Sequence, residues 1–374
     1  MLFSKIIGYN SIKKRLMQSV NLRKIPHAQL FYGAEGSGNL PMALALAQYL
    51  FCDDRKEEDS CGNCASCLKV GKLAHPDLHL VYPVALSKDI RVSTDVLPDF
   101  RDCFQNSPYL RQQDWFNELN AENKQPTISK DESVEIVKKL SYTSYEGKGK
   151  FLIIWQPEKM NSEAANKLLK ILEEPPDETY FILVCHDMDK MLATILSRTQ
   201  LTTFGPIDRE EIAKGLKQYF NSSEEVYMDA ATLAEGNFRN AIQIMSETEN
   251  NVQLLQQLQN FMRGCLKFDA FKLVDWIEVT QQSGREKQKL FLQYALQAFR
   301  DCLMINSGVE QLVMLRGEEL SFIKKFAPFV NFKNHEKLAE EYNKAYFHIE
   351  RNANAKIVFM DLALRTNEFL NIKN

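Results

Sequence analysis

The first two hundred residues alternate compact apolar runs with amphipathic stretches, a pattern typical of a parallel sheet that is covered by helices. Runs of this length predict buried strands, because both faces of such a strand are shielded from water. The runs lie at 28–32, 151–155, 180–185 and 200–204, with a further apolar run at 78–84. We therefore expect an α/β domain in this part of the chain.

Helical spacing fills the intervals between the apolar runs. An amphipathic helix is expected near 134–140 and another from Ser162 to Glu174. Asn161 or Ser162 suits the N-cap of the second helix, because a short polar side chain accepts a free backbone N–H there. Pro175 and Pro176 end it, since a proline disfavours helical geometry in the preceding residue.

The pattern changes after residue 206, where no further strand is predicted. Residues 207–250 read as three short helices, and longer helices follow. We expect the longer ones to include 254–266, 287–306 and 352–369. The 374 residues suit two or three domains. The predicted domains are 1–205 (α/β, with cysteine module 52–67 and insertion 85–127), 206–250 (three helices) and 251–374 (all helical).

Residues 85–127 are polar and interrupt the α/β pattern, so they are expected to form an insertion outside the sheet's core. The insertion carries aromatic residues that have two possible uses: they could stack on single-stranded DNA or form a small core of their own. The aromatic residues are Phe100, Phe104, Tyr109, Trp115 and Phe116.

Composition excludes some function classes. The chain is 45% hydrophobic and 25% charged with a net charge of −3, so its surface is not uniformly basic in the manner of a nucleic-acid wrapper. No apolar run reaches the roughly 18 residues that a membrane helix needs. The start of the chain does not read as a secretory signal, so we expect a cytoplasmic protein.

A glycine-rich turn follows the first apolar run. Gly33, Gly36 and Gly38 keep the frame of a phosphate-binding loop, but Asn39 and Leu40 occupy the positions of its lysine and its serine or threonine. The lysine would neutralise the outer phosphates and the hydroxyl would hold magnesium. The loop is therefore predicted either to be a vestigial nucleotide site or to be a plain glycine turn before a helix.

A second position bears on that choice. A nucleotide hydrolase normally ends the strand equivalent to 151–154 in acidic residues that hold metal and polarise water. Here the strand runs into Trp155 and Gln156. Two losses in one constellation predict a site without ATPase chemistry.

Four of the eight cysteines form a C-x8-C-x2-C-x2-C cluster. In a cytoplasmic protein such spacing indicates metal ligands before disulfides. Four thiolates suit tetrahedral zinc with a structural role, because no coordination position is left open. Free thiols and an iron–sulfur cluster are the alternatives. The cluster residues are Cys52, Cys61, Cys64 and Cys67. The scattered cysteines are predicted to be small buried hydrophobic residues, and they are Cys103, Cys185, Cys265 and Cys302.

Several motifs resemble the bacterial clamp-loader family. Residues 165–176 read A-N-K-L-L-K-I-L-E-E-P-P, and the N-x-L-L-K-x-L-E-E-P-P pattern is characteristic of that family. Residues 194–199 resemble its S-R-C motif, with Thr199 in place of the cysteine. The four-cysteine spacing matches too, and the resemblance covers residues 1–250 apart from the insertion.

The resemblance implies an AAA+-like fold in which 206–250 form a lid and 251–374 form a collar between subunits. The partners implied are gamma/tau-type ATPase subunits and a delta subunit of DNA polymerase III, with the sliding clamp and primed DNA reached through the complex. Delta-prime-type members lose ATPase residues but keep zinc, so the changes at Asn39 and Leu40 favour that type. Such a chain is no enzyme alone, but belongs to a complex with DNA-directed DNA polymerase activity.

The resemblance also implies residue roles. Arg198, preceded by Ser197, is expected to act as an arginine finger on ATP bound by the adjacent subunit. Arg239 lies in a segment similar to the family's sensor-2 and is either an anion contact or structural. Two other functions remain open: an ATP-hydrolysing gamma/tau-type subunit, and a zinc-containing adaptor with a decayed nucleotide fold.

Overall fold

The structure, a computed structural model, describes most of the chain. The described residues are 1–121, 124–309, 315 and 317–372. Two residues of the predicted insertion at 85–127 therefore lie outside the described part. The chain divides into two compact units, Met1–Met245 and Ser246–Asn374.

Within the described residues, five parallel strands form a sheet in the first unit. They are β1 (Ala28–Gly33), β2 (Leu78–Val81), β3 (Lys150–Trp155), β4 (Thr179–Cys185) and β5 (Gln200–Phe204). Their order across the sheet is β2-β3-β4-β1-β5. Parallel neighbours need crossover connections, and helices supply them. The predicted α/β domain with a parallel sheet is confirmed.

The register of the sheet fixes which residues share an edge. Gln29 lies opposite Gln200, and Gly33 lies opposite Phe204. Residues that follow β1 are therefore at the carboxyl edge of the sheet. Residues that precede β5 are at the amino edge, because the two strands run in the same direction.

The helices of the first unit include the two that the sequence predicted near 134–140 and from Ser162 to Glu174. They are α1 (Asn10–Asn21), α2 (Asn39–Phe51), α3 (Ala65–Gly71), α4 (Leu97–Asn106), α5 (Gln112–Glu118), α6 (Lys130–Ser141), α7 (Ser162–Glu173), α8 (Ala193–Leu196), α9 (Arg209–Leu216) and α10 (Glu224–Leu233). Asn161 caps α7 by accepting the N–H of Ala164 at 2.9 Å, as predicted. Pro41 falls in the first turn of α2, which needs no N–H there.

The remaining helices are α11 (Phe238–Lys267), α12 (Ala270–Gln282), α13 (Arg285–Asn306), α14 (Gly317–Phe326), α15 (His335–Glu350) and α16 (Ala355–Leu370). The expectation of one helix ending by 250 and another starting at 254 is wrong, because α11 is continuous. It has no proline, and its glycine comes only at 264. The domain division at 250 stays a prediction. No described helix is long and apolar enough to span a membrane.

Alternate residues of the buried strands pack on opposite faces of the sheet, as strand geometry requires. Phe151, Ile153 and Trp155 of β3 join the cluster that also contains α2, whereas Leu152 and Ile154 join the cluster on the other face. The glycine loop between β1 and α2 is therefore held from both ends by well-packed elements.

The 85–127 segment is part of the main core, so the prediction that it lies outside the core is wrong. Phe100 stacks on Tyr82 with ring centroids 3.8 Å apart, and it contacts Trp115 at 5.2 Å. Trp115 is fully buried, and its indole N–H donates to the Pro83 carbonyl at 2.8 Å. All five aromatic residues of the segment are buried, which removes them as stacking partners for DNA.

Candidate functional site

The glycine loop between β1 and α2 has the backbone of a phosphate-binding turn. Gly36 and Gly38 have φ values of 74° and 101°, which an L side chain rarely adopts. A Cβ on Gly36 would lie 2.5 Å from the Cβ of Arg239, so glycine is also required by the close approach of that arginine. Residues Gly36 to Leu40 of this region are all buried.

The residues after the loop provide neither a cation nor a hydroxyl ligand. Asn39 and Leu40 are each 2% exposed, and the Asn39 amide oxygen accepts the N–H of Leu40 at 2.9 Å. His186 closes this corner. Its Nε2 accepts the indole N–H of Trp155 at 3.1 Å, so the ring proton belongs on Nδ1, which lies 2.9 Å from the Gly33 carbonyl.

The end of β3 has no carboxylate where a hydrolase holds its metal. Trp155 ends the strand, and Gln156 follows in a left-handed conformation with φ of 59° and no exposed surface. Glu158 is two residues further on, and one oxygen of its carboxylate accepts the backbone N–H of His186 at 3.1 Å. This carboxylate is therefore engaged with the polypeptide backbone.

The turn that follows α4 and the first turn of α5 cover the loop. Tyr109 is 2% exposed, and a Cβ on Gly38 would lie 3.0 Å from its ring. Asp114 pairs with Arg239 through two hydrogen bonds, 3.3 Å from Nε and 3.1 Å from Nη2. Burial alone would raise the pKa of Asp114, but the hydrogen bonds from Arg239 and the Arg111 amide lower it below its usual value.

Arg198 lies far from this loop. It precedes β5 at the amino edge of the sheet, whereas the loop follows β1 at the carboxyl edge. Its side chain is 37% exposed, and its Nη1 donates to the Thr194 carbonyl at 3.0 Å. Its Nη2 lies 2.7 Å from a carboxylate oxygen of Glu173. Ser197 is exposed beside it and donates to the same Thr194 carbonyl at 3.1 Å.

The four clustered cysteines form a site that could hold a metal ion. Their sulfur atoms all lie within 4.8 Å of one another. Cys52 and Cys61 are 3.6 Å apart at sulfur, and Cys61 and Cys67 are 3.9 Å apart. A tetrahedral zinc with bonds of about 2.3 Å requires a sulfur–sulfur separation of about 3.8 Å. The donor set and its spacing therefore fit zinc.

Backbone amides prepare these sulfur atoms to carry negative charge. The N–H of Cys64 lies 3.4 Å from the sulfur of Cys61, and the N–H of Cys67 lies 3.4 Å from that of Cys64. Hydrogen bonds from the Asn63 and Cys64 amides lower the pKa of Cys61 to about 7. Burial raises the pKa of Cys52 and Cys67, so a bound cation is needed to keep those two ionised.

The structure brings the predicted residues together in three places. Gly33, Gly36, Gly38, Asn39 and Leu40 share one site with Arg239, and the four clustered cysteines form a second. Arg198 and Ser197 stand at the third. The scattered cysteines are all buried, as predicted.

Sequence patterns missed Tyr109 and Asp114, which contact the loop and its arginine. No motif marks either residue, and both lie in a segment without strand periodicity. The available signal was Trp115 next to Asp114, because tryptophan is highly buried on average and a buried side chain fixes its neighbours against the core.

Comparison with known proteins identifies a family and several individual proteins that this chain is similar to. A family model described as DNA polymerase III, delta subunit, matches residues 8–208, which is more than half of the chain. The match includes the glycine loop, the cysteine cluster, the 85–127 segment and Arg198.

Three curated relatives give the comparison more detail. The DNA polymerase III subunit delta' of Bacillus subtilis is 27% identical over 80% of this chain and 78% of its own length. The delta' subunit of Escherichia coli is 25% identical over 60% of this chain and 55% of its own length. The tau subunit of Escherichia coli is 25% identical over 73% of this chain, but over only 37% of its own length.

Proposed function

Because the chain belongs to the DNA polymerase III delta-prime family of clamp-loader subunits, we propose that it is the delta-prime-type subunit of a bacterial clamp loader. In this role it hydrolyses no ATP and acts as a stator while the sliding clamp is placed on primed DNA. Its partners are gamma/tau-type ATPase subunits and a delta subunit, in the cytoplasm where DNA replication takes place.

The burial of the glycine loop supports the proposal that the chain has no ATPase activity. Phosphoryl transfer needs a cation on the outer phosphates and a held magnesium ion. Asn39, Leu40, Trp155 and Gln156 supply neither, and all four are buried among protein atoms. A nucleotide would have to displace Tyr109 before it reached the loop amides.

The position of Arg198 carries the proposal that this residue acts on a neighbouring subunit. The sheet register separates the start of β5 from the glycine loop by about 13 Å, at about 3.3 Å per residue. Arg198 therefore cannot serve its own loop. Its guanidinium is partly exposed, with Ser197 beside it, and it can exchange its exposed partner Glu173 for the γ-phosphate of ATP on an adjacent chain.

We propose that the four cysteines bind a structural zinc ion. The ion would add positive charge that offsets four thiolates and would link the end of α2 to the start of α3. All four ligands come from the protein, so the site offers no open position for a substrate.

Reconstitution tests the proposed function directly. The purified full chain is mixed with gamma/tau-type and delta subunits of the same organism, and the assembly is followed by size-exclusion chromatography and by loading of labelled clamp on primed DNA. We expect one complex that contains this chain and loads clamps, and little loading when the chain is omitted. Failure to co-elute with these subunits contradicts the proposal and favours an adaptor outside replication.

Nucleotide titration separates the delta-prime type from an active gamma/tau-type subunit. The isolated chain is expected to show no saturable binding of ATP with magnesium and no phosphate release. Hydrolysis by the isolated chain would contradict the proposed type, even if the chain assembles into the loader.

A further inference from the structure

Residues 107–116, which comprise the turn after α4 and the first part of α5, form a segment that makes an aromatic contact at the glycine loop. The ring of Tyr109 lies against Gly38 on one side and 4.8 Å from the ring of Phe238 on another. Its hydroxyl accepts the N–H of Ile7 at 2.8 Å, so the ring is fixed in one place. Tyr109 therefore joins the loop to residues from both ends of the first unit.

The same segment also brings a negative charge to the arginine beside the loop. Asp114 makes its two hydrogen bonds with Arg239, whose Cβ lies against Gly36. The two side chains are 19% and 20% exposed. Pairing in such a partly buried position matters, because an unpaired charge there would lose solvation without compensation.

Two further hydrogen bonds join the segment, the loop and the start of α11 through Glu35. The backbone N–H of Gln112 donates to the Glu35 carboxylate at 3.2 Å, and the side-chain amide of Asn237 donates to the backbone carbonyl of Glu35 at 2.7 Å. Arg111 adds a contact to Gln243 at 3.0 Å. Trp115, buried in the core, anchors the segment so that it cannot swing away as a loose arm.

A nucleotide bound at a glycine loop presents an aromatic base and anionic phosphates, and a nearby arginine typically meets the anion. The segment presents an aromatic ring and a carboxylate to the same kind of partners. We propose that residues 107–116 act as an internal substitute for a nucleotide, which keeps Asn237 and Arg239 bound to the glycine loop without any ligand.

This arrangement gives the chain a property that a nucleotide-binding relative lacks. Contacts between the loop and residues 237–239 do not depend on ATP, because the groups that make them are covalently part of the chain. The effective concentration of these groups at the loop is constant. Residues 237–239 therefore stay bound to the loop while neighbouring subunits bind and hydrolyse ATP.

Chemical rescue tests the proposal on the full-length chain. Asp114→Ala leaves Arg239 without its carboxylate and opens space beside the loop, so inorganic pyrophosphate should bind there. We expect millimolar pyrophosphate to raise the Tm of Asp114→Ala by about 3 °C and to leave the wild type unchanged. The double variant Asp114→Ala, Arg239→Ala should lose that response, because the guanidinium is the main partner of the anion.

A matched control removes a carboxylate on α4, outside residues 107–116. Asp102 is exposed on α4, so Asp102→Ala changes net charge equally and should show no response to pyrophosphate. If Asp114→Ala fails to fold, Asp114→Ser, which also removes the carboxylate and shortens the side chain, is assayed in its place. Equal responses in wild type and the Asp114 variant, or none in the variant, would overturn the proposal.

Hydrogen exchange gives a second readout. Amides of residues 36–38 and 237–240 should exchange about 10-fold faster in Asp114→Ala than in the wild type, and pyrophosphate should slow them again. Exchange that is unchanged by the substitution would mean that the segment does not hold these residues to the loop, and would contradict the proposal.

Discussion

Two arginine–carboxylate pairs in the first unit differ in how firmly they are held. Arg239 makes two hydrogen bonds with Asp114 at about one-fifth exposure, whereas Arg198 meets Glu173 through a 2.7 Å contact with 37% and 47% of the side chains exposed. An exposed pair contributes only about 0.5 kcal/mol, because water screens it. One arginine is thus bound within the fold, and the other can exchange its partner at little cost.

The difference also follows the sheet. The Arg239–Asp114 pair lies at the carboxyl edge of the sheet, against the glycine loop, which other residues of the chain bury. The Arg198 pair lies at the amino edge, next to an open depression lined by Pro26, Leu172 and Pro175. The proposed function, in which the chain binds no nucleotide and its arginine acts on another subunit's site, requires this combination.

Arg198→Ala should give the largest effect. A fixed guanidinium at a developing phosphoryl charge is worth about 10³-fold or more in rate, so DNA-stimulated ATPase of the assembled loader should fall by about that factor at the site which Arg198 serves. Steady-state phosphate release from the reconstituted complex measures it. Arg209→Ala removes another exposed arginine of the same unit and is the control. An unchanged ATPase rate in a normally assembled complex would show that Arg198 does not act at the neighbouring subunit's ATP site.

Cys64→Ser tests whether the end of α2 opposite the glycine loop depends on metal. We expect loss of bound zinc and a decrease of about 3 kcal/mol in the free energy of unfolding, since loss of a structural metal is among the largest single-site effects. Elemental analysis and thermal unfolding measure the two quantities together.

Cys302→Ala is the control for that variant, because Cys302 is buried in the second unit and far from the cluster in sequence. It should leave the zinc content unchanged. Metal-replete protein without zinc, or Cys64→Ser with normal zinc and stability, would leave the cluster as free thiols.

The pattern of the chain predicted the sheet well. Buried parallel strands are short apolar runs, and four of the predicted runs became β1, β3, β4 and β5 to within one residue at either end. The fifth run, at 78–84, forms a strand only to Val81. Strand order was outside the reach of periodicity, because it depends on which runs pair across long sequence distances.

The candidate site was predictable only where chemistry has a fixed spacing. Glycine positions and paired cysteines show a spacing that a sequence reveals. Tyr109 and Asp114 reach the loop through tertiary packing of a polar segment, which has no period to read. Sequence patterns also failed to predict that α11 is continuous. Asn250 and Asn251 are weak helix formers, but the helix continues through them in the folded chain.

Glu173→Gln sharpens the contrast between the two arginine pairs. Loss of the exposed carboxylate charge should change the free energy of unfolding by less than about 1 kcal/mol, whereas Asp114→Asn should cost about 2 kcal/mol because it weakens charged hydrogen bonds in a partly buried position. Denaturant titration of both variants gives the difference. Equal costs would mean that Arg198 is held as firmly as Arg239, and would break the comparison.

The smallest effect concerns Glu132 on α6, which contacts Ser93 near the start of the 85–127 segment, and residues 107–116 of that segment cover the loop. Glu132 is 1% exposed, and its carboxylate accepts the N–H of Ser93 at 2.5 Å and lies 2.8 Å from the Ser93 hydroxyl. That hydroxyl also lies 3.1 Å from the Leu80 carbonyl, but it has one proton to donate. A protonated Glu132 satisfies both contacts, which agrees with burial raising its pKa above the usual 4.5.

Glu132 in the folded state thus holds its proton to higher pH than in the unfolded chain. Its stabilising contribution is complete below about pH 4.5 and is lost as pH rises through the folded-state pKa. Glu132→Gln removes this dependence, so its Tm relative to wild type should rise between about pH 5 and about pH 8. Asp131→Asn, exposed on the same helix, is the matched control. A difference between Glu132→Gln and wild type that stays constant with pH would show that Glu132 titrates as in the unfolded chain, and that the segment over the loop is fastened by packing alone.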